Sequence, residues 1–132
     1  MKITAIDHMQ IAVPPELEQA ALAFYHDVLG LQRVQKPTGT GDTRGAWFDA
    51  GNIQLHVGIQ QEGFKPATKA HPGFVVENLV EARATLEAAG VTVQPGGEIP
   101  GFKRVFAQDP AGNRLEFMQP MTRPARAGES SE

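Results

Sequence analysis

Two stretches of this chain repeat one another, and that repeat restricts the fold more than any other feature. A shift of sixty residues carries Gly30 to Gly90, Arg44 to Arg104, Asp49 to Asp109, Leu55 to Leu115 and His56 to Glu116. The string Asp49-Ala50-Gly51-Asn52-Ile53-Gln54-Leu55-His56 mirrors Asp109-Pro110-Ala111-Gly112-Asn113-Arg114-Leu115-Glu116, with the Gly-Asn turn slipped by one residue. Upstream of the helices the shift becomes sixty-three and pairs His8 with His71. The difference falls between first strand and helix, where loops absorb length cheaply.

The order of elements repeats as well. Ile3 to Val13 alternates, with Met9, Ile11 and Val13 on one face and His8, Gln10 and Ala12 on the other, which predicts a strand ended by Pro14-Pro15. A helix is predicted over Glu16 to Leu29, its apolar stripe Leu17, Ala21, Phe24 and Val28, with Gly30 as its C-terminal cap. Strands are predicted at Leu31–Lys36, Arg44–Asp49 and Asn52–Gly58, the first two separated by the turn Thr38-Gly39-Thr40-Gly41-Asp42. A polar connector, Ile59 to Ala70, leads into the second round. That round has a strand at His71–Val76, a helix at Leu79–Ala89 capped by Asn78 and Gly90, and strands at Val91–Gln94, Lys103–Gln108 and Asn113–Met118. The expectation is an α+β fold made of two tandem βαβββ modules, 4–60 and 68–120, in one domain over 1–120. Residues 121–132 lack periodicity and are expected to be a disordered tail.

Composition narrows the function. There is no cysteine among the 132 residues, which excludes disulfides, thiolate zinc sites and a cysteine nucleophile. A net charge of −3 with interspersed signs gives no basic field for nucleic acid and no polybasic membrane patch. No apolar run approaches the roughly 20 residues of a spanning helix, and no signal peptide is read at the N-terminus, so a cytoplasmic protein is expected.

The repeat singles out His8, His56, His71 and Glu116. Leu55 and Val57 flank His56, Leu115 and Phe117 flank Glu116, and Met9 follows His8. Side chains alternate across a strand, so each polar group points away from its apolar neighbours, and four such strands curved into a cup would aim them inward. A lone strand histidine is ordinarily a satisfied interior residue. Four groups at two equivalent positions of a duplicated unit make one divalent metal an equal alternative. Imidazole with carboxylate suits Fe(II), Mn(II), Ni(II), Co(II) or Zn(II) and leaves positions open for substrate or water. A buried Glu116 carboxylate without a cation or donor would cost several kcal/mol.

Other residues are candidates for substrate contact. Arg44 and Arg104, as a repeat-related pair, could clamp a carboxylate or phosphonate from two sides, or simply sit at the rim facing water. Gln10 and Gln54 share the faces of His8 and His56 and could touch substrate or orient a ligand. Trp47 is either core or cavity wall. Lys65 and Lys69 in the connector are read as solvated. His26 falls away from the helix stripe and is excluded as a ligand.

Four strings together resemble the vicinal-oxygen-chelate superfamily of glyoxalase I, bleomycin-resistance proteins and extradiol dioxygenases. They are Asp7-His8-Met9-Gln10-Ile11-Ala12-Val13, Phe24-Tyr25-His26-Asp27-Val28-Leu29-Gly30-Leu31, His71-Pro72-Gly73-Phe74-Val75-Val76 and Asp109-Pro110-Ala111-Gly112-Asn113-Arg114-Leu115-Glu116-Phe117. The resemblance spans residues 4 to 120. It implies a cup-shaped mixed sheet, with His8, His71 and Glu116 as metal ligands. Glyoxalase-like members carry a glutamate where this chain has His56, and fosfomycin-transferase-like members use no ligand there. The implied activity is that of a metal-dependent enzyme acting on a small oxygenated anion by lyase, isomerase or transferase chemistry, with Glu116 also catalytic and the metal as Lewis acid. Alternatives are a metal-free drug- or metabolite-sequestering protein and an extradiol-type dioxygenase. The only tyrosine, Tyr25, lies in the helix motif, which counts against ring cleavage. A homodimer is also implied.

Overall fold

In the computed structural model, residues 1–37, 39, 41 and 43–121 are described. The expected tail beyond Met121, and Thr38, Thr40 and Asp42 of the expected turn, lie outside the described residues. The first strand, β1, runs His8–Val13 with Ile11 and Val13 buried. It starts at His8 rather than Ile3 because the ladder begins at the pair His8–Gln54.

After Pro14 the chain turns once as a 3-10 helix at Pro15–Leu17 and enters α1, Glu18–Ala23. A π-helical turn over Phe24–Val28 continues it. The predicted stripe assumed an unbroken α-helical pitch. The wider π turn instead buries the consecutive residues Phe24 and Tyr25 together, their rings edge to face at 5.1 Å. Strands β2 (Gln32–Val34), β3 (Ala46–Ala50) and β4 (Ile53–Ile59) complete the first sheet, in the order β1-β4-β3-β2. β1 is parallel to β4 and the other pairs are antiparallel.

The second round repeats this plan. β5 (Gly73–Val75) precedes α2 (Leu79–Ala88), whose first turn is capped by Asn78 accepting from the Glu81 N–H at 3.1 Å. Strands β6 (Gln94–Pro95), β7 (Phe102–Gln108) and β8 (Arg114–Pro120) give the order β5-β8-β7-β6 with the same strand senses. The fold is therefore α+β, with two βαβββ modules. Among the described residues no helix is long and apolar enough to cross a membrane.

Strand register tests the repeat residue by residue. Gln10 pairs with His56, and its counterpart Gly73 pairs with Glu116, so the equivalences His8–His71 and His56–Glu116 hold. The third strand of each module departs from them. Trp47 pairs with His56 while Phe106 pairs with Glu116, a shift of fifty-nine. Arg104 therefore corresponds to Gly45, and Arg44 to Lys103. Asp49 corresponds to Gln108. The expected pairings Arg44–Arg104 and Asp49–Asp109 are wrong, and the cause is turn length. The first hairpin closes through Gly51-Asn52 between paired Ala50 and Ile53, the second through Asp109 to Asn113 between paired Gln108 and Arg114.

The chain divides into two compact units. One comprises Met1–Ala70 with Asp109–Asn113, and the other His71–Gln108 with the described residues from Arg114. In the first, Ile11, Val13, Ala21, Phe24, Tyr25, Ala46, Phe48, Leu55 and Val57 form the interior. In the second, Leu79, Leu86, Val93, Val105, Ala107, Leu115 and Phe117 do so.

The inserted Asp109–Asn113 turn is held by a buried network within the first unit. Asp109 Oδ1 accepts from the backbone N–H groups of Ala111 and Asn113, both at 2.9 Å. Its Oδ2 accepts from the Tyr25 hydroxyl at 2.7 Å and from Asn113 Nδ2 at 3.0 Å. Asn113 also donates to the Ala12 carbonyl and accepts from the Ala67 N–H. All the acceptor capacity of a buried carboxylate is thus used by the protein itself.

Candidate functional site

The polar face of the first sheet follows from alternation. Leu55 and Val57 point to the interior, so Gln54 and His56 point the other way, joined across the ladder by His8, Gln10 and Trp47. His56 is only 5 % exposed and lies between two rings. Trp47 stacks on it at 4.0 Å with planes 1° apart, and His8 stacks on it at 4.2 Å with planes 12° apart. Its Nε2 meets Gln54 Oε1 at 2.9 Å, and His8 Nδ1 meets Asp7 Oδ2 at 3.0 Å. Burial depresses the His56 pKa, helped by the nearby His8 and Lys36 and opposed by Asp7. Gln10 lies across Gly58, where a Cβ would stand 2.4 Å from its Nε2. A cleft of about 320 Å3 is lined by Asp7, His8, Gln10, Lys36, Trp47, Gln54 and His56.

On the corresponding face of the second sheet, Glu116 is 7 % exposed. His71 Nε2 lies 2.8 Å from its Oε1, and Arg104 Nη1 lies 3.5 Å from its Oε2. Arg104 is further tied by its Nε to the Gly97 carbonyl at 2.8 Å. The Phe106 ring lies against both groups, with His71 edge-on at 5.5 Å and the Arg104 guanidinium 5.3 Å from its centroid. Arg114 covers the same ring more closely, at 4.0 Å.

The four positions implied as metal ligands thus fall into two pairs, one in each unit, and the pairs differ in fit. His71 and Glu116 stand at the separation that neighbouring ligands of one ion have when each lies about 2.0–2.2 Å from it. Imidazole nitrogens donate within their ring plane. The in-plane lone pairs of two rings stacked nearly parallel at 4.2 Å do not converge on a common point, so His8 and His56 do not chelate together in this arrangement. Among the described residues no group of three His, Asp or Glu side chains is placed to hold a metal ion. The desolvation cost expected for Glu116 is met by protein groups, a guanidinium and an imidazole.

The other predicted contacts separate. Gln10 and Trp47 line the cleft. Arg44 does not: its Nε and Nη2 grip Glu18 Oε1 at 2.9 and 2.6 Å, while the Gly45 N–H donates to Glu18 Oε2, tying α1 to the entry of β3. His26 is exposed and meets the Leu31 carbonyl through Nδ1. Two residues at these faces escaped the sequence reading. Lys36 lines the first cleft and donates to the Arg44 carbonyl. Arg114 had a signal available, since the shift of sixty that links His56 to Glu116 also links Gln54 to Arg114.

Comparison with known proteins follows this geometry. The profile of the Glyoxalase/Bleomycin resistance protein/Dioxygenase superfamily matches residues 5–117. A Bacillus anthracis protein described as of the glyoxalase family is 37% identical, with a TM-score of 0.83 over 91% of this chain and 98% of that one. Lactoylglutathione lyase from Agrobacterium tumefaciens is 25% identical, with a TM-score of 0.68 over 90% and 96%. TnmS3, an antibiotic binding protein from Streptomyces sp. CB03234, shares the fold at 19% identity, with a TM-score of 0.73 over 91% and 98%. No curated protein matches the sequence.

Proposed function

Because this chain belongs to the Glyoxalase/Bleomycin resistance protein/Dioxygenase superfamily, we propose that it is a metal-dependent enzyme acting on a small oxygenated anion by lyase, isomerase or transferase chemistry. The observation that carries the reading is the 2.8 Å contact between His71 Nε2 and the buried Glu116 Oε1. These two residues would hold one divalent cation of the Zn, Ni, Mn, Co or Fe class. Bound there, the ion supplies Lewis-acid polarisation of substrate oxygens. Arg104 keeps the second oxygen of Glu116 oriented, and Glu116 is the chain's own proton acceptor at this face. Gln10 and Trp47 wall a cleft of a size suited to a small molecule. His56, held between two rings and by Gln54, is a wall residue in this reading rather than a ligand. The relative from Agrobacterium tumefaciens, a lactoylglutathione lyase, fits this class of chemistry. The same reading takes the protein to be a cytoplasmic homodimer, which sedimentation and cell fractionation test.

A second reading, a metal-free protein that sequesters a small molecule, is favoured by one observation: both oxygens of Glu116 already meet protein groups, His71 and Arg104. Metal retention separates the two. Protein loaded with each cation in turn and desalted should keep close to one equivalent of at least one of them, and Glu116→Gln should lose it while keeping the fold. Retention below about a tenth of an equivalent for every cation hands the lead to the second reading. Wild-type retention by Glu116→Gln overturns the ligand assignment.

A further inference from the structure

We propose that Arg114 is the anion-gripping residue of this site, so that the ligand carries a carboxylate, phosphonate or phosphate group. The proposal rests on the site proposed above and adds its specificity. Arg114 and Glu116 are two residues apart in β8 and therefore share a face. The Arg114 guanidinium lies 4.0 Å from the Phe106 centroid. Stacking holds the planar group flat and leaves its N–H edges free for a two-pronged contact with an anion. Among the described residues no carboxylate or other hydrogen-bond acceptor engages it.

Charge balance supplies the second argument. Arg104 and Arg114 both lie against Phe106, and the one carboxylate on this face, Glu116, is 3.5 Å from Arg104. Two guanidinium groups face one carboxylate. The positive surplus sits on Arg114, and a ligand anion neutralises it. The expected clamp of Arg44 and Arg104 is replaced by this single residue, because Arg44 is committed to Glu18 and Arg104 to Glu116 and Gly97. Strand register adds a third argument. The counterpart of Arg114 in the first module is Gln54, which hydrogen-bonds the ring at the counterpart of Glu116. The duplicated position is a polar contact point in both modules, and only the second carries charge.

The test uses full-length protein stripped of metal by chelation, with inorganic phosphate and acetate as separate probes, so that tetrahedral and planar anions are told apart. Binding is followed by calorimetry and by the arginine Nε–H resonances in NMR. One of the two anions should bind saturably and move the Arg114 resonance. Arg114→Gln should weaken that binding by about tenfold or more, and Arg114→Lys should retain part of it. Arg83→Gln, in the exposed Arg83–Glu87 pair of α2, should bind as wild type does. The wild-type resonance shift keeps the test independent of how well the variants fold. Binding by Arg114→Gln within about twofold of wild type overturns the proposal, as does a still Arg114 resonance at saturation. Metal retention is read separately. Protein that holds metal but shows no Arg114-dependent anion binding sinks this inference alone. Protein that binds the anion through Arg114 but never holds metal sinks the metal reading alone.

Discussion

The indole of Trp47 and the imidazole of His56 lie face to face, their centroids 4.0 Å apart and their planes within 1° of parallel. Trp47 is the only tryptophan, so its emission reports on this one contact. A protonated imidazole quenches a stacked indole. Emission should therefore fall on acidification with a midpoint below the ordinary 6.5, because burial and the neighbouring His8 and Lys36 depress the His56 pKa. His56→Gln should abolish the transition, and an unchanged titration in that variant would remove the assignment. The stability sign follows. An unfolded chain binds this proton near 6.5 while the native state resists it, so the metal-free protein should lose stability as pH drops below that value.

The Tyr25–Asp109 hydrogen bond predicts a stability effect without a catalytic one. Tyr25→Phe leaves Asp109 Oδ2 one donor short and should cost about 1–3 kcal/mol in denaturant unfolding. Asp109→Ala strands several donors at once and should cost more. Burial first, and the adjacent Asp109 second, raise the Tyr25 pKa far above its ordinary 10.0. The native state keeps a proton that the unfolded chain releases near pH 10. Stability is then full below that pH and falls above it, and Tyr25→Phe should flatten the decline.

Arg44→Gln should lower stability by about 1 kcal/mol or less, since the Arg44–Glu18 pair is partly exposed. Anion binding should remain at the wild-type level. A large loss of anion affinity in this variant would restore Arg44 as a ligand contact.

Much of this architecture was written in the sequence, because a duplicated unit repeats its apolar spacing. His8, His56, His71 and Glu116 could be matched from residue numbers, since β4 and β8 keep their register against β1 and β5. The third strands could not. Their alignment depends on how many residues a hairpin turn consumes: the second turn takes up three more, two of them from one lost strand pair, and the remaining one moves every partner by one. That slip made Arg44 and Arg104 look like a pair. The π turn was also hidden, because a seventeen–twenty-one–twenty-four–twenty-eight stripe reads as ordinary helix, and the wider step shows in the backbone, where the Leu29 N–H donates to the Phe24 carbonyl five residues back. The stacking of His56 was beyond reach, since strand periodicity gives the side a residue faces and not the direction of its ring.

Asp109–Asn113 closes the last hairpin of the second sheet yet belongs to the first unit, filling the ladder of donors and acceptors around Tyr25. Ancestral duplication would suggest two halves that mature one after the other during synthesis. This insertion forbids that order. The Tyr25 hydroxyl lacks its Asp109 acceptor until synthesis has passed that residue, so the amino-terminal unit is finished only after β5, α2, β6 and β7 have been made.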